Sequence, residues 1–170
     1  MQKLLDKDGN VLSEDPWQIM PRGFDGMLNS DHMLVPVQYW LDTLPDSDAN
    51  SVCNDQPASG IWLDSDIELE PLADHISTWD CIGIHFQTFM DGRGFSLARL
   101  LREQYNYRGE LRAFGNIIPD QFYYLARCGF DTFLLEDYSP DFDPLPYLNN
   151  FTVSYQGSVD QPQPLFRRRT

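Results

Sequence analysis

An α/β fold built on an open, mostly parallel sheet of about four to five strands with crossover helices is predicted by three observations. From Gly60 onward, short apolar segments of strand length alternate with segments of helical periodicity. Proline and glycine punctuate the alternation where helices start and stop, with Pro71 and Pro119 at the starts and Gly109 and Gly129 at the stops. Strands separated by helices pair in parallel through right-handed crossovers. The repeat suits either a three-layer sandwich or a partial β/α barrel, since four units are too few to close an eight-stranded barrel. A chain of 170 residues suits one domain with a real core.

The elements follow in order. LLDKDGNVL reads as an amino-terminal hairpin turning at Asp8-Gly9, because apolar residues flank a turn pair. The same string lacks the acids of a calcium loop. Residues 16–29 read as irregular, and Val35–Leu44 as a short helix with Val37, Trp40, Leu41 and Leu44 at helical spacing. DSDANSVCNDQPAS (46–59) is an acidic loop joining residues 1–45 to the repeats of 60–159.

In the repeats, GIWLDSD is a strand and Pro71 opens a helix with Leu72, Ala73, Ile76 and Trp79 on one face. CIGIHFQTF is the second strand. Ser96 caps the next helix, whose apolar face holds Leu97, Leu100, Leu101 and Tyr105. ELRAFGNI is the third strand, Pro119–Cys128 a helix facing inward through Phe122, Leu125 and Ala126, and DTFLLED the fourth strand. A proline-rich loop, a helical turn near Tyr147–Phe151, a last strand at TVSYQ and a disordered tail over 160–170 complete the expectation. The expected core comprises Trp79, Ile82, Ile84, Leu97, Leu100, Leu101, Leu111, Leu125, Phe133 and Leu134.

Composition narrows function. The formal net charge of −14 disfavours nucleic acid and anionic membrane as partners of the whole surface. No apolar run approaches the ~20 residues of a membrane span, and the first residues lack a signal-peptide core, so a cytoplasmic location is expected. Three widely spaced cysteines and three scattered histidines offer no disulfide framework, zinc site or iron–sulfur motif. The nicotinamide and flavin glycine fingerprint, the phosphate loop and the nucleophile elbow are missing too, so no cofactor and no metal are expected.

Against the acidic background, Arg93, Arg99, Arg102, Arg108, Arg112 and Arg127 share their window with only Glu103, Glu110 and Asp120, a local excess of about three positive charges. The loops at the carboxyl ends of the second and third strands are where an open parallel sheet binds ligands. Asp91, Gly92, Arg93 and Gly94 occupy the first. There glycines allow close backbone approach, the following helix offers free N–H groups, and Arg93 brings a fork suited to a small oxyanion. Gly115-Asn116 occupies the second and leads to Asp120 and Gln121. Arg112 and Asp120 complete the anion-binding candidates, and His85, Gln121 and Arg127 are secondary. The alternative is structural. Asp91 then caps a helix, Arg93 pairs with Asp120, Arg112 and Arg127 are buried against acids such as Asp131 or Glu136, and His85 is a hydrogen-bonded core residue.

The strings DGRGFSLARLLREQY, GELRAFG and DQFYYLARCGFD resemble the bacterial family called domain of unknown function 934, over Gly60 to about Gln156. The resemblance implies an association with assimilatory sulfite reduction, as an oxidoreductase or an accessory protein, and it assigns no catalytic residue. The expectation is therefore an auxiliary protein of sulfur metabolism that docks to sulfite reductase or a neighbouring enzyme, or that holds a small oxyanion. The alternative is an enzyme, an oxidoreductase or other small-anion enzyme, with its site at the DGRG and GN loops.

Overall fold

The structure, a computed structural model, describes residues 2–23, 32–43, 59–136, 138–139 and 141–168. Its strands are β1 (Lys3–Asp6), β2 (Val11–Leu12), β3 (Gln18–Ile19), β4 (Met33–Pro36), β5 (Gly60–Asp64), β6 (Cys81–Phe86), β7 (Glu110–Gly115) and β8 (Thr132–Leu135). The helices are α1 (Val37–Thr43), α2 (Arg93–Glu103), α3 (Phe122–Cys128), α4 (Leu145–Leu148) and α5 (Leu165–Arg168).

All eight strands join one sheet in the order β2-β1-β8-β7-β6-β5-β4-β3. From β3 to β8 each strand lies parallel to the next in sequence. A doubly wound sandwich reverses its strand order at a switch point. No reversal occurs here, so the sheet is singly wound and curls into a half-barrel. The amino-terminal hairpin does not stand apart. It extends the sheet by pairing β1 antiparallel to β8. The sheet therefore has more strands than the four to five expected. The additions are β1 and β2 of the hairpin, the two-residue β3 inside the supposedly irregular stretch, and β4, which takes Met33–Pro36 ahead of a helix expected from Val35.

Side chains alternate between the two faces. Ile61, Leu63, Ile82, Ile84, Phe86, Leu111, Ala113, Phe133 and Leu135 point to one side, where Leu97, Leu101, Phe122 and Leu125 of α2 and α3 bury them. Leu4, Leu34, Trp62, Cys81, Phe114 and Leu134 point to the other, and Trp17 covers them.

Among the expected core residues Leu100 is the exception, at 44 % exposed. Helix α2 begins at Arg93 rather than after Ser96, and the face that packs on the sheet runs through Gly94, Leu97, Ala98 and Leu101. The helix expected from Pro71 is two 3₁₀ turns, Glu70–Leu72 and Ile76–Thr78, closed by bonds such as Leu72 N–H to Leu69 O (3.0 Å) and Thr78 N–H to His75 O (2.9 Å). Leu72, Ile76 and Trp79 of the expected face are buried while Ala73 is exposed, so apolar spacing found most of the face without the helix type.

TVSYQ forms no strand. The segment expected as a tail folds back, with Leu165 N–H donating to Tyr155 O (3.0 Å) and Arg168 Nη2 to Ser154 O (2.7 Å). Most of the acidic loop, with Cys53, lies outside the described residues. No helix among the described residues is long and apolar enough to cross a membrane.

Arg112 is fully buried on the Trp17 side of the sheet. Its Nη1 donates to both carboxylate oxygens of Asp15 (2.8 Å each), and its Nε and Nη2 donate to Glu110 Oε1 (3.0 and 2.9 Å). Thr132 Oγ1 donates to Glu110 Oε1 (2.6 Å) and Trp17 Nε1 to Glu110 Oε2 (3.1 Å). In urea unfolding, Arg112→Ala is expected to lose about 3–5 kcal/mol, because two carboxylates are left beside an empty site. Leu125→Ala should lose about 2–5 kcal/mol, while Leu100→Ala should stay within about 0.5 kcal/mol of the parent. A large loss at Leu100 would contradict the observed helix face.

Candidate functional site

The carboxyl ends of the parallel strands gather three features. The first is the DGRG loop. Arg93 donates through Nε to Asp91 Oδ1 (2.9 Å) and through Nη2 to Asp91 Oδ2 (2.7 Å), and its backbone N–H reaches Asp91 Oδ1 (3.1 Å). Ser65 Oγ, from the loop after β5, donates to Asp91 Oδ2 (2.5 Å), and Asp66 lies 3.9 Å from Arg93. The Arg93 fork first, and the Ser65 hydroxyl second, hold the Asp91 carboxyl well below the usual carboxylate range. The helix end expected to attract an anion thus has a carboxylate of the chain already on it. Gly94 serves packing, since a Cβ there would come 2.6 Å from Phe86 Cζ. Nothing lies within 4 Å of a Cβ built on Gly92.

The second feature is a polar cluster on the inner face. Asp64, His85 and Phe114 end β5, β6 and β7 in one register row. His85 Nδ1 lies 3.3 Å from Asp64 Oδ1, which also accepts from Gln87 Nε2 (3.2 Å) and from the Arg22 guanidinium. The imidazole stacks on Phe114 (5.1 Å between centroids, 28°) and meets Trp62 edge-on (5.6 Å). Gly115, at φ +93°, is required here, because a Cβ would sit 2.8 Å from His85 Cδ2.

The third feature is a cleft of about 660 Å³ lined by Gln87–Met90, Gly115–Ile118, Glu136 and Tyr138. Gln121 Nε2 donates to Phe89 O (2.7 Å) and Asn116 Nδ2 to Gln87 O (2.6 Å), which pins one wall. Phe89 and Met90 stand out from the lip, 53 % and 80 % exposed. The lining carries one carboxylate, Glu136, and no arginine or lysine among the described residues.

The sequence-derived candidates are therefore not assembled into one site. Asp91 and Arg93 pair with each other, so Arg93 does not pair with Asp120, which is exposed on the turn before α3. Arg112 lies deeper in the sheet, with Asp15 and Glu110 rather than with Asp131 or Glu136. Arg127 donates to Gln156 O (2.7 Å) and to Asp160 (3.4 Å). Gln121 borders the cleft, and His85 belongs to the polar cluster. Arg99 pairs with Glu103 (2.8 Å) and Arg102 with Asp131 (2.5 Å), so every arginine of the positive window except Arg108 meets a carboxylate inside the molecule. Asp64, Arg22 and the cleft residues other than Gly115 and Asn116 were not singled out in the sequence. The available signal was parity, since Asp64 and His85 each occupy the inward polar position near the end of an otherwise apolar strand. Cys81 and Cys128 are buried and free, and burial pushes the Cys128 thiol up to about 11. Among the described residues no group of His, Cys, Asp or Glu is placed to hold a metal ion.

Residues 60–166 match the model of a bacterial family, "Bacterial protein of unknown function (DUF934)". No curated protein and no solved structure matches the chain.

Two measurements test the DGRG geometry. A carboxyl group depressed by native contacts stabilises the fold at neutral pH, and that stabilisation drains away as pH falls through the carboxylate range. Asp91→Ala should therefore cost about 1 kcal/mol at neutral pH, as loss of a hydrogen-bond acceptor for the Arg93 N–H groups and the Ser65 hydroxyl does. The gap to the parent should close progressively below about pH 4; a pH-independent gap would refute the assignment. In the second, melting temperature is followed against sulfite, sulfate and phosphate at constant ionic strength. Because Asp91 occupies the Arg93 fork, the parent and Arg93→Ala should respond equally. A saturable shift lost only in Arg93→Ala would make Arg93 the anion anchor after all.

Proposed function

Since this chain belongs to that bacterial family of unknown function, we propose that it is an accessory protein of assimilatory sulfite reduction that docks a partner reductase at the carboxyl-end cleft of the half-barrel. The sulfite-reduction part rests on the family resemblance, and the docking part on the cleft. The observation that carries docking over anion holding is the lip of Phe89 and Met90, joined by the partly exposed Ile118, around a lining that holds no basic residue among the described residues. Anion holding in the cleft needs a cation there; the described lining has none, and the arginines of the positive window other than Arg108 are paired internally. An exposed apolar lip of this kind is a common mark of a protein-binding surface.

Charge specifies the occupant. The chain carries −14 overall and Glu136 lies in the cleft wall, so the fitting surface has an apolar side chain flanked by lysine or arginine. Methionine suits such a lip because its flexible thioether adapts to the incoming shape.

The test combines binding and growth. The purified chain should bind assimilatory sulfite reductase, and Met90→Asp or Phe89→Asp should weaken binding by about tenfold or more, as removal of a central interface anchor does. Deleting the gene should slow growth on sulfite and not on sulfide or cysteine. A deletion strain indifferent to the sulfur source would sink the pathway assignment. Normal binding by both lip variants would sink the cleft while leaving the pathway standing.

A further inference from the structure

We infer that His85 is a proton-transfer residue acting on a small oxyacid monoanion, with Asp64 as its positioning residue and Arg22 as the anion's anchor, a site separate from the docking cleft and independent of the docking proposal. The inference starts from orientation. Nδ1 faces the Asp64 carboxylate at 3.3 Å, and a carboxylate can only accept, so the ring proton resides on Nδ1. In the neutral ring this leaves the lone pair on Nε2, and no described residue hydrogen-bonds that nitrogen.

The ring cannot turn away easily. Phe114 stacks on it, Trp62 meets it edge-on, and the bare Cα of Gly115 lies against its Cδ2–Nε2 side. A core histidine would be enclosed on every side. This one is about one-quarter exposed, at the strand ends where parallel sheets bind ligands. Among the described residues the charged groups around it are Asp64 from β5 and Arg22, which shares Asp64 Oδ1 with it and whose guanidinium lies 5.4 Å from the Trp62 ring centre. Arg22 is 56 % exposed, and among the described residues it uses only Nη2, on Asp64, which leaves the rest of its fork to offer an oxyanion.

The chemistry balances without a co-reactant. A bound oxyacid O–H gives its proton to the Nε2 lone pair. The electron pair of that O–H bond stays on oxygen, and the imidazolium formed is neutralised by Asp64. The reverse step returns the proton.

The test uses the full-length ¹⁵N-labelled chain, with dihydrogenphosphate and bisulfite as probes and chloride as the control at constant ionic strength. Long-range ¹H–¹⁵N spectra of the imidazoles should show the His85 proton on Nδ1 in the neutral ring. Asp64→Ala should release that preference. Phosphate or bisulfite should shift His85 Nε2 saturably, with chloride inert, and Arg22→Gln should weaken the apparent affinity by about tenfold or more, as loss of a charge-assisted pair does. A neutral His85 carrying its proton on Nε2 in the parent would overturn the proposal. So would a His85 signal indifferent to both oxyanions, or an equal response in Arg22→Gln.

Discussion

The rest of the structure depends on a buried cation. Arg112 lies in the middle of β7, on the face of the sheet that Trp17 covers, and it could not remain there uncompensated. Desolvating a guanidinium costs several kcal/mol, recovered only when its donors meet acceptors of opposite charge. Glu110 supplies one carboxylate from the same strand and Asp15 brings the other from a segment ninety-seven positions earlier in the chain. That demand draws the amino-terminal segment across the inner face. Trp17, two residues on, is then held by its own N–H to Asp15 (3.0 Å) and by its indole to Glu110, and it shuts the amino end of the half-barrel. Gly83, the register partner of Arg112, leaves room for the aromatic side chains on the same face, because a Cβ there would crowd Phe114 (3.0 Å) and Trp62 (3.2 Å).

With the amino end closed by ion pairs and indole, the opposite end carries what can meet a ligand. The asymmetry follows from the winding. Parallel strands put every carboxyl end on one rim, and the loops leaving that rim are the ones free to vary. Asp64, His85, Gln87, the cleft and the DGRG loop all belong to it. The remaining arginines are stitched into the frame elsewhere. Arg102, for example, donates to Gly129 O (2.9 Å), Tyr107 O (2.8 Å) and Gly109 O (3.0 Å) as well as to Asp131, tying α2 to the end of α3 and the approach to β7.

The repeats from β5 to β8 were legible because alternation, proline and glycine all agree there. Strand β3 was not, since two residues carry too little periodicity to register. The turns around Pro71 show a related limit, because one apolar spacing fits an α-helix and a pair of 3₁₀ turns alike. Leu100 failed for a geometric reason. A helix offers a sheet only part of its circumference, and Gly94, Leu97, Ala98 and Leu101 had already filled it. The arginine window misled because charge was counted along the chain, whereas Asp15, Asp91, Asp131 and Asp160, which neutralise it, lie outside the window in sequence and beside it in space. The pairing of Asp64 with His85 needed the register between two strands, which no single strand contains.

The cleft and the histidine are separate sites with a shared boundary. Gln87 lines the cleft and its amide also donates to Asp64 (3.2 Å); Gly115 lines the cleft and its Cα also backs the His85 ring. A partner side chain that displaced the Gln87 amide would remove one of three donors from Asp64 Oδ1 and leave His85 and Arg22 to share it. The bond from Nδ1 would then strengthen, since a carboxylate that gives less of its charge to other donors gives more to the ring. Docking at the lip and proton transfer at His85 are therefore compatible, and they are joined by one glutamine side chain and one glycine that cannot be enlarged without moving the ring.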